Sequence, residues 1–299
     1  NNMKQLALAF QNYHDSFKKL PRYNYTAYSA TGTCSYWEGF SAHTMLLPYI
    51  EQQQLWDDFL KDYGTCPDLF EGWRNPANTG HFLAVRRPAV PAFRCPSDPG
   101  MRFGADAGNN NYPISAGPTY ACWNAARQLG VFSRDFETAF ADIVDGTSTT
   151  IMIGEQLVGD NNANLYTPGD VVRAIPWTGA VDFPTDAQMA TYGQTCQNAV
   201  LSNPTNIHQH GGREWIATLP AQTVFNTIAP PNWQYPTCQD CVGCGWMDSD
   251  GVFPARSRHP GGANHGLVDG SVRFFSENIN VYLYCNLATI NGGESVQMP

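Results

Sequence analysis

The chain has 299 residues, of which 42% are hydrophobic and 14% are charged, and its formal net charge is −9. This composition allows a sizeable core, and the acidic balance without a basic stripe excludes a typical nucleic-acid-binding protein. The 27 glycines, 21 prolines and 13% aromatic residues favour short strands, turns and long ordered loops over a helical bundle.

The N-terminal segment, residues 1–20, is predicted to form an amphipathic helix that ends near Leu20-Pro21. Its apolar residues recur at i, i+3, i+4 and i+7 spacing and therefore share one face: Met3, Leu6, Ala7, Phe10, Tyr13, His14 and Phe17. The periodicity is established from the first residues, with no N-cap signal before it. We therefore expect this segment to be the C-terminal part of a longer helix.

Three segments in the first half of the chain carry further structural signals. LLPYIEQQQLWDDFLKDYG predicts a second helix with a buried stripe and with Gly64 as its C-terminal cap. FRCPSDPG, residues 93–100, predicts a short strand that enters a turn. In ADIVDGTSTTIMIGEQ, residues 141–156, a turn at Asp145-Gly146 is expected to lead into a buried strand.

The middle of the chain, residues 160–255, is dense in Pro, Asn, Gly and Cys, and we expect a loop-rich insertion there. The nine cysteines of the chain are dispersed, which is typical of disulfides formed in an oxidising compartment, and their odd number leaves one thiol without an intrachain partner. CQDCVGC, residues 238–244, predicts a disulfide-rich loop. A metal site is the alternative, although no second cysteine pair or histidine follows at zinc-finger spacing.

HGLVDGSVRFF, near the end of the chain, predicts a β-hairpin. Asp269-Gly270 lies between two β-type runs, and a two-residue Asp-Gly turn places both residues at positive φ. His259 would then lie in the loop that enters the hairpin. The alternative is a catalytic pair formed by His259 and Asp269. After the hairpin, NINVYLYCNLATI predicts a last helix or strand.

These elements together predict an α+β fold in a single domain over residues 1–299. The N-terminal helix is expected to pack its apolar stripe on an antiparallel β-sheet, with large disulfide-bonded loops inserted between the strands. The predicted parts are the helix at 1–20, the insertion at 160–255, and the hairpin with its tail at 257–299.

Two pairs of side chains in the insertion are candidate metal ligands. Asp248 and Asp250 lie in a D-x-D-G turn whose alternating carboxylates suit Ca²⁺, and a solvated turn is the alternative because no Glu follows at the EF-hand position. His208 and His210 would share one strand face as half of a zinc or copper site, and exposed loop histidines are the alternative. Their third ligand would be one of three residues: Glu214, His259 or His265.

Glu155 follows the predicted buried strand of IMIGEQ. A desolvated carboxylate at that position would suit a general acid that works with Asp145 or Asp142. The alternative is a carboxylate that holds a loop in place by hydrogen bonds.

Aromatic residues crowd polar parts of the chain: Tyr23, Tyr25, Tyr28, Tyr36 and Trp37, and later Trp215, Trp233 and Trp246. With Asn and Asp neighbours such rings can stack on sugars. The alternative is a small secondary core of rings buried against one another.

The chain resembles the pseudopilin-like, prepilin-type proteins of type II secretion that are abundant in planctomycetes. The segments that carry the resemblance occur in that family's order: NNMKQLALAFQNYHDSFKKLP, LLPYIEQQQLW, FRCPSDPG, DIVDGTSTTIMIGEQ, RHPGGANHGLVDGSVRFF and LATINGGESV. The fifth segment has the spacing H-X9-DG, formed by His259, Asp269 and Gly270. The resemblance covers nearly the whole chain and is weakest in the cysteine-rich residues 160–255.

The resemblance implies a pilin-like fold and, upstream of these residues, a leader, a prepilin peptidase site and a membrane-spanning apolar run. It implies an extracytoplasmic subunit that is membrane-anchored in the precursor and that assembles with other pilin-like subunits or cell-envelope components. The helix residues Met3, Leu6, Ala7 and Phe10 would pack against the sheet or against neighbouring subunits. No cofactor is required, and Ca²⁺ at Asp248 and Asp250 would match the calcium of related major pseudopilins.

The alternative function is a secreted enzyme of the glycan-hydrolase type, or a carbohydrate-binding protein, built on the same scaffold. Its catalytic candidates are Glu155, Asp145 and His259. An enzyme requires a cleft with converging carboxylates or histidines, whereas a structural subunit requires only a stable surface.

Overall fold

The computed structural model describes the following residues of the chain: 1–25, 28–29, 32–33, 39–62, 85–99, 108–124 and 129–293. Helices pack against two mixed β-sheets, so the α+β class that the sequence predicts is confirmed. The single antiparallel sheet of that prediction is wrong, because each of the two larger sheets contains a parallel strand pair.

Two of the described α-helices are long, and the others are short. Their bounds are α1 (Asn2–Phe17), α2 (Ala42–Leu46), α3 (Gln53–Asp62), α4 (Asp186–Ser202) and α5 (Val281–Asn286). Short 3-10 helices lie at Leu47–Tyr49, Pro91–Phe93 and Phe140–Asp142.

The strands are mostly two or three residues long. They are β1 (Tyr28–Ser29), β2 (Gly32–Thr33), β3 (Ile114–Ser115), β4 (Ile151–Ile153), β5 (Val171–Val172), β6 (Ile207–His208), β7 (Val224–Phe225), β8 (Thr237–Gln239), β9 (Gly251–Val252), β10 (Gly262–Leu267) and β11 (Val272–Ser276). The first large sheet has the order β11-β10-β4-β3-β7, and the second has the order β6-β5-β8-β9. The predicted buried strand after Asp145-Gly146 is confirmed as β4.

Helix α1 lies against the first sheet. Met3, Leu6, Ala7 and Phe10 are all buried, which confirms the predicted apolar face. Met3 packs on Gly266 of β10. The helix also hydrogen-bonds to the hairpin turn, because Lys4 donates to the carbonyl of residue 270 and Gln11 donates to the carbonyl of residue 268. The N-terminal helix therefore holds the hairpin in place.

The C-terminal end of α1 differs from the prediction. The helix ends at Phe17, and Lys18 follows in the left-handed conformation with φ 62°. The helix thus stops before the predicted Leu20-Pro21 boundary, and Phe17, its last residue, is 58% exposed and lies outside the buried stripe.

The second predicted helix is interrupted. A 3-10 helix that contains Pro48, followed by Glu51 at φ 61°, separates α2 from α3. Proline lacks the N–H that a continuous α-helix needs, so the break falls where the sequence contains one. Within α3, Leu55 and Phe59 are buried as predicted, whereas Leu60, another residue of the predicted buried stripe, is 45% exposed. The predicted cap, Gly64, lies outside the described residues.

The predicted hairpin is confirmed as β10 and β11, which pair from Gly262 with Ser276 to Gly266 with Val272. The predicted turn geometry is wrong, because Gly270 alone of the Asp-Gly pair has positive φ, at 81°. The loop is four residues long rather than two, and its tight turn closes with the N–H of Gly270 donating to the carbonyl of residue 267 at 2.9 Å.

Residues 160–255 are more regular than the predicted loop-rich insertion. They contain the second sheet and the 17-residue helix α4, which begins with a capping box formed by Thr185 and Gln188. Met189, Tyr192 and Cys196 of α4 belong to a hydrophobic cluster that includes residues of β5, β6, β8 and β9. The sequence did not indicate this arrangement because two-residue strands are too short to show an alternating pattern.

Disulfides are present in this middle region, as the cysteine pattern predicts. Cys196 of α4 is bonded to Cys238 of β8, and Cys241 is bonded to Cys244. CQDCVGC therefore forms a disulfide-bonded loop. Three further cysteines are free and buried: Cys95, Cys122 and Cys285.

Two other local predictions have different outcomes. FRCPSDPG forms no strand in its described part, 93–99, because its first residue ends a 3-10 helix and a turn follows. NINVYLYCNLATI forms a helix, α5, whose N-cap Asn280 accepts a hydrogen bond from Leu283 N–H.

Candidate functional site

Side chains from three distant segments converge beside the end of β4. Cys95 comes from FRCPSDPG, Glu155 from IMIGEQ and His259 from the loop before β10. Each offers one ligand-type atom, and these three atoms lie within 4.8 Å of one another. Glu155 Oε1 lies 3.4 Å from His259 Nε2. We call this group the Cys95–Glu155–His259 cluster.

Glu155 is the most deeply buried member of the cluster, with 4% of its surface exposed. It lies two residues after Ile153, the last residue of β4, where the chain leaves the sheet beside β10. Its Oε2 accepts the backbone N–H of Asn264 at 2.8 Å, and the Asn264 amide lies 3.3 Å from Oε1. These bonds orient the carboxylate so that Oε1 faces His259.

Cys95 is held by a buried asparagine. Its backbone N–H donates to Asn111 Oδ1 at 2.9 Å. The Asn111 amide donates to Asp98 Oδ2 at 2.7 Å and to the carbonyl of Gln156 at 2.9 Å. Asn111 therefore ties the turn that carries Cys95 to the residue that follows Glu155.

Tyr112 forms a further wall of the cluster. Burial raises the pKa of its hydroxyl, and contacts with the Cys95 side chain and with the charge of Glu155 raise the pKa further. The phenol therefore stays protonated next to the Cys95 side chain.

His259 links the cluster to solvent. Its side chain is 35% exposed, and its backbone N–H donates to Ser257 Oγ at 3.1 Å. The neighbouring Arg258 and Asp98 line a cleft of about 380 Å³, and Arg258 Nε lies 3.9 Å from Asp98 Oδ1. Solvent reaches the cluster through the exposed part of the His259 ring.

The cluster combines a sulfur, an oxygen and a nitrogen donor in a mostly buried position. Such a set can either exchange protons or coordinate a metal ion. Among the residues that the structure describes, no other group of three His, Cys, Asp or Glu side chains converges in this way.

The family of the chain follows from a match that runs through all three of these segments. Residues 1–281 match the model of a family described as a protein of unknown function, DUF1559. The chain belongs to the DUF1559 family. No curated protein and no solved structure matches this DUF1559 chain significantly.

The three predicted partners of the catalytic candidates lie elsewhere in this DUF1559 chain, and Asp142 accepts the N–H of Ala139 within its own 3-10 turn. Asp145 accepts hydrogen bonds from Thr289 Oγ1 at 2.8 Å and from the N–H groups of residues 292 and 293. Asp269 accepts the N–H of Ser271 at 2.8 Å, within the hairpin turn. The structure therefore pairs His259 with Glu155 instead of Asp269, and Glu155 with Asn264 instead of Asp145.

The two predicted calcium ligands, Asp248 and Asp250, differ in their hydrogen-bond partners. Asp250 accepts the N–H groups of Trp123 and Asn124, both at 2.9 Å, and the Asn124 amide at 2.9 Å. Asp248 is half-buried, and burial raises the pKa of its carboxyl. Its Oδ1 has no hydrogen-bond partner within the described part of the chain. Calcium binding by this pair remains a prediction.

His208 and His210 lie beside each other, with ring centroids 5.2 Å apart. Burial lowers the pKa of His208 to about 4 and that of His210 to about 3, so both rings are neutral at pH 7. Two of the predicted third ligands have other partners: Glu214 lies 3.4 Å from Arg86, and His265 is bonded to Tyr284 at 2.7 Å. A metal site at these histidines remains a prediction.

The aromatic residues that the structure describes are largely internal. Tyr23, Trp215, Trp233 and Trp246 are all at least 92% buried. Tyr36 and Trp37, and the side chain of Tyr28, lie outside the described part of the chain. The predicted secondary core is therefore the better description of the buried rings.

The sequence did not indicate four residues that surround the cluster: Asp98, Asn111, Tyr112 and Asn264. The one available signal was the run NNNY, which places three consecutive asparagines next to an apolar strand. All three asparagines are buried, and buried amides need several hydrogen-bond partners each. Such a run indicates an internal polar scaffold, but it does not reveal which segments the scaffold joins.

The two disulfides indicate an extracytoplasmic protein, because disulfides form and persist in oxidising environments outside the cytoplasm. Of the helices in the described ranges, none has both the length and the hydropathy that a membrane span requires.

Proposed function

We propose that this DUF1559 protein is a pilin-like structural subunit of the cell envelope that works outside the cytoplasm. In this proposal an apolar helix N-terminal to α1 holds the precursor at the membrane, as the resemblance to pseudopilin-like proteins implies. Neighbouring subunits then associate side by side through their N-terminal helices. The proposal includes no catalytic step.

The observation that carries the proposal is the placement of α1. The apolar face of α1, which includes Met3 and Phe10, is buried within the domain, so this face is unavailable to a neighbouring subunit. The opposite face carries Gln5, Leu8 and Asn12, all exposed, with Leu8 43% exposed. A helix with one face buried in its own domain and one face outward can pack against identical helices.

The test is assembly of the full-length precursor in cells, measured by chemical crosslinking and by sedimentation of sheared surface material. We expect Leu8→Asp to abolish the crosslinked oligomers while the circular dichroism spectrum and Tm of the purified chain stay unchanged. Leu201→Asp is the matched control, because Leu201 of α4 is 74% exposed on another surface. Absence of oligomers in the unaltered protein, or normal oligomers with Leu8→Asp, would refute the proposal.

A second candidate function, carbohydrate binding, is favoured by a groove of about 460 Å³ beside α4. Its lining combines an aromatic ring, amides and carboxylates, the groups that recognise pyranose rings: Tyr235, Asn232, Asn278, Asp186 and Glu277. Two carboxylates in one groove also suit a glycan hydrolase.

Isothermal titration against a panel of oligosaccharides tests this second candidate. Tyr235→Ala and Glu277→Gln should each weaken binding at least about tenfold. Tyr282→Ala is the control, because Tyr282 is 62% exposed and does not line the groove. If no oligosaccharide binds, or if all three variants bind equally, the groove is not a glycan site.

A further inference from the structure

We propose that Cys95, Glu155 and His259 form a zinc site. The ion would be a single Zn²⁺ bound by the Cys95 thiolate, one carboxylate oxygen of Glu155 and one ring nitrogen of His259. This inference goes beyond the structural role proposed above, because a subunit requires no metal for side-by-side assembly.

The spacing of the donor atoms is the first argument. A hydrogen-bonded ion pair places its nitrogen and oxygen about 2.7–2.9 Å apart, whereas Glu155 Oε1 and His259 Nε2 are 3.4 Å apart. Zinc bonds of about 2.0–2.3 Å at tetrahedral angles separate neighbouring ligand atoms by about 3.3–3.8 Å. The pair therefore has the separation of two ligands that share an ion.

The second argument is the chemistry of the donor set. A thiolate and an imidazole exclude Ca²⁺ and Mg²⁺ as natural occupants, since those ions take oxygen ligands. One sulfur, one nitrogen and one oxygen suit Zn²⁺, and the two negative charges of thiolate and carboxylate balance its charge. Three protein ligands leave a fourth position for water.

The surroundings orient the ligands as the second shell of a metal site does. The Asn264 N–H binds Glu155 Oε2, the Asn264 amide lies 3.3 Å from Oε1, and Oε1 faces His259. Asn111 accepts the backbone N–H of Cys95 and so holds the turn that carries the thiol. The carboxylate and the thiol are therefore positioned by groups that do not themselves bind the ion.

Access to the site comes from the side of His259. The ring is 35% exposed, and Arg258 beside it lines the cleft shared with Asp98. An ion can therefore approach through the exposed part of the His259 ring, and Cys95, a residue that is 9% exposed, closes the inner side.

The experiment uses the purified chain after dialysis against a chelator, titrated with Zn²⁺ in competition with a chromophoric chelator. We expect one Zn²⁺ per chain and a rise of several degrees in Tm. Co²⁺ in place of Zn²⁺ should give a thiolate-to-cobalt charge-transfer band in the near ultraviolet. Absence of stoichiometric zinc binding would overturn the proposal.

Substitutions of the three proposed ligands test whether these residues bind the ion. Cys95→Ser, Glu155→Gln and His259→Gln should each weaken Zn²⁺ binding more than about 100-fold, and Cys95→Ser should remove the charge-transfer band. Since His259 is partly exposed, His259→Gln keeps the test valid even if the buried variants fail to fold. Cys122→Ser and His14→Gln are matched controls that should bind Zn²⁺ normally. Zinc binding that survives His259→Gln, or that is lost in His208→Gln instead, would refute the assignment.

A substitution of Asn111 tests a residue that positions the ligands without binding the ion. Asn111→Ala removes three hydrogen bonds that link residues 95, 98 and 156, and it should weaken Zn²⁺ binding about 10–100-fold. Asn226→Ala is the control, because Asn226 is equally buried and also makes three side-chain hydrogen bonds, to Thr119, Gly251 and Phe253. Equal zinc affinity in the two variants would contradict the role of Asn111.

Discussion

The carboxylate of Glu155 accepts the backbone N–H of Asn264 across 109 residues of sequence, at 2.8 Å. β4 and β10 pair at Ile153 and Gly266, and beyond that point the strands separate. The Glu155 side chain thus satisfies a backbone donor that a longer strand would have satisfied with its own carbonyl. This bond joins the chain beyond the end of β4 to β10, the strand that follows the loop carrying His259.

The first prediction concerns this bond. Glu155→Ala should lower the free energy of unfolding by about 2 kcal/mol, because it leaves the partly buried N–H and the amide of Asn264 without acceptors. Glu155→Gln keeps one acceptor and should lose about 1 kcal/mol. Urea unfolding in the presence of a metal chelator measures both. Glu277→Ala, at an exposed position, should change stability by less than about 0.5 kcal/mol.

The second prediction concerns acid lability. Burial lowers the pKa of His43 and His208 to about 4 and of His210 and His265 to about 3. In the unfolded chain these groups titrate near 6.5, so they take up protons on unfolding between about pH 6.5 and pH 4. Stability should therefore fall as the pH drops through this window, by about 1.4 kcal/mol per pH unit for each histidine.

Asp170 affects the dependence of stability on pH in the opposite direction, so its substitution serves as the control. Burial raises its pKa to about 7, so the folded chain holds a proton there between pH 4 and 7 that the unfolded chain releases. In urea unfolding at pH 7.0, 6.0 and 5.0, His43→Gln should make the dependence of stability on pH shallower. Asp170→Asn should make it steeper. Identical slopes in the two variants would contradict the titration scheme.

The third prediction compares the two disulfides. Cys196 and Cys238 are 42 residues apart, and the entropy of the loop they close predicts a loss of about 4 kcal/mol when both become Ala. Cys241 and Cys244 are 3 residues apart, and the same relation predicts about 2 kcal/mol. Urea unfolding of the two double variants measures the difference, and equal losses would show that loop entropy does not dominate.

The fourth prediction concerns the hairpin turn. Gly270 has φ 81°, where a side chain is strained, and an added Cβ would lie 3.0 Å from the Gln11 amide of α1. Gly270→Ala should therefore lower Tm and cost about 1–2 kcal/mol of stability. Gly243→Ala is the control, because an added Cβ there meets no atom of the described chain within 4 Å. An unchanged Tm in Gly270→Ala would mean that the turn adapts without strain.

Some features of this protein follow from the sequence because they depend on neighbours within a few residues. The buried face of α1 is visible in the spacing of Met3, Leu6 and Phe10, and the hairpin is visible in Asp269-Gly270 between two β-type runs. Their boundaries were less predictable, since the end of α1 and the turn geometry depend on contacts with residues far along the chain.

The second sheet was not predictable in this way. β5 and β6 have two residues each, and what makes them strands is pairing with one another and with β8. Helix α4 shows only a weak apolar stripe, and its placement depends on the Cys196–Cys238 bond and on the sheet beneath it.

The sequence by itself determined the candidate side chains Glu155 and His259, because each lies in a segment with a recognisable local pattern. Only the tertiary structure decided that Glu155 faces His259 rather than Asp145, and that Cys95 joins them. The reason is physical: convergence depends on long-range hydrogen bonds such as those of Asn111, whose partners lie at 95, 98 and 156. No local periodicity encodes bonds between such distant segments.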